Sequence, residues 1–164
     1  MWKAAAIAAH GDQRYGNKPY WRHLQDVEDV LKDFGFVSSD YQAAAWLHDV
    51  VEDTAITIDD IHNQFGKEVS RLVWAVTGEG HNRRARQASI MKKLHNTKEA
   101  CPLKLADRIA NLEAAVQEGN VQGKFAMYHK EQAEFAKVVQ KHVPAEMWDR
   151  LVRLFDYAAA KGWV

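Results

Sequence analysis

An all-α fold in a single domain is what this sequence predicts, on three observations. Apolar residues recur at a 3.6-residue period along almost the whole chain. No apolar–polar alternation runs longer than four residues. Only three prolines and nine glycines interrupt 164 residues. A 47% hydrophobic composition is enough for a full core without staples. The 22 basic and 22 acidic residues cancel, which excludes a protein held on polymeric nucleic acid by a general basic field. One cysteine, Cys101, excludes an internal disulfide framework and a CxxC zinc site, and suits a cytoplasmic protein. No apolar run approaches the roughly 18 residues of a membrane span. The Ala4 to Ala9 stretch is too short and has no basic flank, so it reads as mature protein with no membrane partner.

The elements follow in order, eight or nine helices in all. Residues 2–10 are Ala-rich and favour helix on propensity. Gly11 to Pro19 is a polar loop. Tyr20, Trp21, Leu24, Val27, Val30, Leu31 and Phe34 form a helical stripe closed by Gly35. Ser39 with Gln42 starts a helix near 40–53, and Thr57 with Asp60 starts a short one ending at Gly66. Val69, Leu72, Val73 and Val76 mark the next. Gly78, Gly80 and the basic run His81 to Arg86 form a loop that feeds a helix to about Leu94. Pro102 opens a helix that runs through Val116. Two last helices fall near 124–140 and 145–161, with Pro144 at one start and Gly162 past the end.

The chemistry concentrates in Trp46–Thr54, WLHDVVEDT. On a helical wheel with His48 at zero, Glu52 lies near ~40°, Asp49 near ~100° and Asp53 near ~140°. Leu47, Val50 and Val51 occupy the opposite face. Three acids so close repel one another, and a bound cation reverses the sign of that energy. His48 and Asp49 supply one nitrogen and one oxygen. His23, on the flank of its stripe, and Asp107, within KLADRIANL, are candidates for two more. Nitrogen and carboxylate ligands without thiolate suit Mn, Fe, Co or Zn.

Four blocks in order carry a family resemblance: AAHGDQRYGNKPYWRH, WLHDVVEDT, FGKEVSRLVWAVTGE and PLKLADRIANL. They resemble the HD-domain hydrolases, in particular the RelA/SpoT hydrolase branch with its stand-alone small alarmone hydrolases. The likeness is strongest over residues 5–116, within one HD-type domain spanning 1–164. It implies a divalent metal, with manganese the expected ion, held by His23, His48, Asp49 and Asp107. It implies Glu52 and Asp53 as the catalytic pair, Arg14 packed on the guanine base and Asn111 facing the nucleotide. The implied reaction removes the 3′-pyrophosphate of guanosine tetra- or pentaphosphate, (p)ppGpp, by hydrolysis alone, since no residues remain for a nucleotidyl-transfer domain.

The pattern has departures. Tyr15 stands where relatives often carry a basic residue, Leu24 where a proline is usual, and Ala110 where a histidine is usual. Tyr15 leaves open another nucleotide, such as the 2′-phosphate of NADPH or a nucleoside di- or triphosphate. A non-catalytic nucleotide sensor is the alternative of a different class. Lys104, three residues before Asp107, is expected at the mouth of the site or in a helix ion pair. Arg83, Arg84, Arg86, Lys92 and Lys93 are either phosphate contacts or a solvated basic face. Arg108 is expected to pair with the His48–Asp49 helix, and Tyr128 to be core. The oligomeric state is left open.

Overall fold

The computed structural model describes residues 1–164. The chain runs through α1 (Trp2–His10), a hairpin of β1 (Arg14–Tyr15) and β2 (Lys18–Pro19), α2 (Trp21–Asp33), α3 (Ser39–Leu47), the single turn α4 (Val50–Asp53), α5 (Ile58–Phe65), α6 (Lys67–Val76), α7 (Arg83–Asn96), α8 (Cys101–Gln117), α9 (Lys124–Val139) and α10 (Ala145–Ala160). Nine helices of eight residues or more and one isolated turn match the predicted all-α class. The polar loop at 11–19 holds a small exception. Arg14 pairs with Pro19 and Tyr15 with Lys18 across a turn in which Gly16 takes φ 60°, a conformation other residues reach only at a cost.

Helix α2 lies at the centre, against α3 on one side and α8 on the other, and α8 in turn packs on α9 and α10. A continuous cluster of 36 buried apolar residues fills the space between them. Leu24, Leu47, Leu105 and Ile109 have no exposed surface, and each contributes roughly 1.5–3 kcal/mol by leaving water. The stripe read from the sequence in α2 is the buried one: Leu24, Val27, Val30 and Leu31 all face inward.

Three expectations need correction. The segment near 40–53 is not one helix, because α3 stops at Leu47 and the chain turns at His48 and Asp49 before α4 begins. The His48 Nδ1–H donates to the Ala45 carbonyl at 2.7 Å, the acceptor that an unbroken helix would offer to the Asp49 amide. The N-cap of α3 is Ser38, not Ser39. Its hydroxyl accepts from the Tyr41 amide at 3.3 Å, and Gln42 donates to the Val37 carbonyl instead. Thr57 and Asp60 do make the reciprocal capping box expected of them.

Arg108 is the third. It does not reach the His48–Asp49 segment, because adjacent residues of α8 point about 100° apart. Asp107 faces α2 and α3, whereas Arg108 donates to Glu131 on α9 at 3.1 Å. Its guanidinium lies 4.6 Å from the Tyr128 ring centroid and 3.8 Å from that of Phe135. Tyr128 is buried, as its core reading requires. Glu131 also accepts from Arg83 at 2.7 Å and from Gln87 at 2.9 Å. The Glu131→Ala variant should lose about 3 kcal/mol of stability in urea denaturation, because it strands a fully buried cation.

Candidate metal and catalytic site

The turn at residues 48–49 brings the four candidate ligands together. His23 comes from the first turns of α2, His48 and Asp49 from the turn after α3, and Asp107 from the middle of α8. One donor atom from each lies within 4.8 Å of all the others. Asp49 Oδ2 is 3.0 Å from His48 Nε2 and 3.7 Å from His23 Nε2. Asp107 Oδ1 is 3.0 Å from His23 Nε2 and 3.3 Å from His48 Nε2. Ligands held about 2.0–2.2 Å from a common ion stand roughly 3–4 Å apart, so these spacings fit one first-row divalent cation. Because His48 gives its Nδ1 proton to Ala45, Nε2 is the atom that faces the other donors and can take an ion once it gives up its own proton.

The protonation of the cluster shows the same demand for positive charge. Burial disfavours a charged His48, yet the carboxylates of Asp49 and Asp107 outweigh it and hold the imidazole well above its ordinary range. Burial also opposes ionisation of Asp49, but His48 draws it down to about 2. Against the same burial, Lys104 and His48 hold Asp107 well below the usual carboxylate range.

A second layer fixes the ligands. Lys104 donates to Asp107 Oδ2 at 3.1 Å, so it both lines the site and makes the helix ion pair. Asn111, one turn on, donates to Asp107 Oδ1 at 3.0 Å. Two tyrosines that the sequence did not assign to the site complete the layer. The Tyr20 hydroxyl donates to Asp49 Oδ2 at 2.5 Å. The Tyr15 ring stacks on His23, with centroids 4.7 Å apart and planes 11° off parallel, while its hydroxyl donates to Asn111 Oδ1. Lys124, at the start of α9, donates to the Tyr15 hydroxyl at 3.1 Å. The spacing of Tyr20 and His23, three apart at a helix start, carried the signal that both share one face. Nothing in the sequence pointed to Lys124.

Glu52 and Asp53 follow on α4, where consecutive side chains diverge. Glu52 Oε1 accepts from the Gly78 amide. Although the residue is exposed as a whole, its carboxyl is partly shielded from water. That desolvation raises its pKa, opposed by the Gly78 hydrogen bond and reinforced by Asp49. An ideal Cβ on Gly78 would lie 2.7 Å from Arg86 Cβ, so packing against α7 requires glycine here, and its amide is left close to Glu52. Asp53 accepts from Gln13 at 3.1 Å.

The remaining basic candidates separate. Arg14 sits on the exposed hairpin, its guanidinium tied to the Asn17 carbonyl and in contact with none of the ligands. Arg83 is committed to Glu131. Lys93 is buried and donates to the carbonyls of Trp74 and Thr77 and to Glu79. Arg84 and Lys92 are exposed, and Arg86 is half-buried beside Gly78.

A buried histidine and a half-buried aspartate at a helix break, joined by a histidine and an aspartate from two neighbouring helices, make a donor set of the metal-hydrolase type that could hold one divalent ion. The HD domain family pattern matches residues 2–139, and the chain belongs to that family. Over 119 residues it is 35% identical to the mouse guanosine-3′,5′-bis(diphosphate) 3′-pyrophosphohydrolase MESH1, covering 67% of this chain and 66% of that one. It is 36% identical over 110 residues to the guanosine-3′,5′-bis(diphosphate) 3′-pyrophosphohydrolase of Aquifex aeolicus, covering 63% of this chain and 16% of the relative. The match therefore spans just under two thirds of the mouse protein and a small part of the Aquifex one. A solved metazoan ortholog of SpoT superposes with TM-score 0.80 at 24% identity, over 99% of this chain and 94% of that one, and shares the fold.

Two outcomes are expected of the donor set. Because His48 is held protonated above its ordinary range, binding Mn²⁺ at pH 7 must displace a proton, and metal affinity should rise with pH up to the raised pKa of His48. Calorimetry in two buffers of different ionisation enthalpy should report release of about one proton per ion. The Asp107→Ala variant should bind no stoichiometric metal by elemental analysis after gel filtration.

Proposed function

We propose that this protein is a divalent-metal-dependent hydrolase that removes the 3′-pyrophosphate of (p)ppGpp, with residues 1–164 forming one HD-type hydrolase domain. The observation that carries the proposal is the cage of two imidazoles and two carboxylates with a further pair of carboxylates one turn beyond it. The names borne by the mouse and Aquifex relatives support the substrate. Manganese is the ion we favour, bound by His23, His48, Asp49 and Asp107. The cytoplasm is the compartment we favour, in keeping with the one buried, unpaired thiol of Cys101. No helix is long and apolar enough to cross a membrane.

A divalent ion in this cage supplies Lewis acidity toward a phosphate oxygen and acidifies water. The chain's own residues do the rest. A water oxygen forms a bond to the phosphorus attached to the ribose 3′ oxygen. The bond from that phosphorus to the 3′ oxygen breaks, and the 3′ oxygen leaves with a proton as pyrophosphate is released. Glu52 and Asp53 take the proton of the attacking water and return one to the leaving oxygen. Partial burial of the Glu52 carboxyl and the nearby Asp49 charge raise its affinity for a proton, which favours it as the acceptor. Lys104 keeps Asp107 ionised and Tyr20 orients Asp49, so the cage retains its charge while substrate exchanges. Asn111 faces the nucleotide from beside Asp107. Arg14, on the exposed hairpin, is the side chain we assign to the guanine base.

Purified protein with Mn²⁺ and guanosine tetraphosphate should release GDP and pyrophosphate, and a chelator should abolish the release. Metal binding without that turnover would move the substrate to the 2′-phosphate of NADPH or to another nucleotide. The Glu52→Gln variant should keep its metal and lose about a hundredfold or more in kcat. Near-normal turnover would remove Glu52 from the proton path.

A further inference from the structure

Asp53 is exposed on the one-turn helix α4, where the fold does not bury its side chain. The contact that reaches its carboxylate comes from forty residues earlier in the chain, where Gln13 Nε2 donates to Asp53 Oδ2 at 3.1 Å. An amide can present either end, and Gln13 is not free to choose. Its Oε1 accepts from His10 Nδ1 at 2.8 Å, which leaves the NH₂ group facing Asp53. His10 is itself fixed. It is buried at the end of α1, and its ring lies on Tyr20, with centroids 4.5 Å apart. The Nε2 atom of His10 is buried without a partner, so the imidazole spends its one hydrogen bond on Gln13. A buried polar atom left unpaired costs free energy, and the arrangement keeps it.

We propose that Gln13, oriented by His10, is a positioning residue that aims the Asp53 carboxylate for the proton transfer. The role rests on the hydrolytic function proposed above. The same histidine ring supports Tyr20, whose hydroxyl holds Asp49. Helix α1 and the loop after it thus set both a member of the acid pair and a ligand of the cage.

The Gln13→Met variant keeps the length of the side chain and removes both hydrogen bonds. It should lower kcat for guanosine tetraphosphate roughly ten- to a hundredfold with KM and bound manganese unchanged, and lower the thermal midpoint by a few degrees because His10 Nδ1 loses its partner. His10→Phe keeps a ring on Tyr20 but has no proton for Gln13. It should lower kcat in the same direction, and the double variant should fall no further than the worse single one. A readout independent of turnover is the side-chain NH₂ resonance pair of Gln13 in the full-length protein, which should shift in the Asp53→Asn and His10→Phe variants. Unchanged kcat in Gln13→Met, additive losses in the double variant, or unmoved resonances in Asp53→Asn would each overturn the proposal. If the unmodified protein turns over no guanosine tetraphosphate, the substrate reading fails, and the resonances then decide whether Gln13 holds Asp53.

Discussion

Two carboxylates and two imidazoles occupy a space under 5 Å across, and three of the four residues are buried. That arrangement is tolerable only if positive charge is supplied, and the rest of the molecule is arranged around that demand. In the protein alone the charge comes from a proton on His48 and the ammonium of Lys104. The cost of the cage is borne by the packing of α2, α3 and α8 around one apolar cluster. The candidate ligands come from α2, from the turn after α3 and from α8. The site is therefore as rigid as the core is, and it cannot assemble before those three helices meet.

Polar residues around the cage divide its two tasks. Lys104, Asn111, Tyr15 and Tyr20 bear on ligands and keep the charge and direction of the donors fixed. Gly78 and Gln13 bear on Glu52 and Asp53, pulling the adjacent carboxylates toward different parts of the fold. Each carboxylate of the proposed pair thus has its own fixed partner. The Gly78 backbone is held in turn by the loop around it. Buried Lys93 bonds the carbonyls of Trp74 and Thr77, immediately before that glycine, and so gives a residue of the basic cluster a structural task.

Much of this was legible in the sequence, for physical reasons that can be named. Strong apolar periodicity located α2, α6 and α8 because their buried faces are continuous. The cluster of candidate ligands was legible because acids beside histidines on one face repel one another unless a cation is supplied. The break between α3 and α4 was not legible. His48 has ordinary helical propensity, and its side chain takes the Ala45 carbonyl that the next turn of helix would use. The wheel nevertheless kept His48 and Asp49 together, since a turn keeps neighbours close. Tyr15, Tyr20, Gln13 and Lys124 escaped because their roles depend on distant partners, at Asn111, Asp49, Asp53 and again Tyr15. The destination of Arg108 escaped for the same reason, its counter-ion lying 23 residues away on α9.

Asp107 and Arg108 are neighbours in sequence that answer to opposite sides of α8. One completes the cage and the other is neutralised only by Glu131. The resemblance legible in the sequence fades near residue 116, but the electrostatic unit does not end there. A fragment cut after α8 would carry a cation whose counter-charge had been removed, one residue from a member of the cage. The smallest piece of this chain that can be transplanted, permuted or fused while keeping the site intact therefore extends through α9, whose end at Val139 is also where the family match stops.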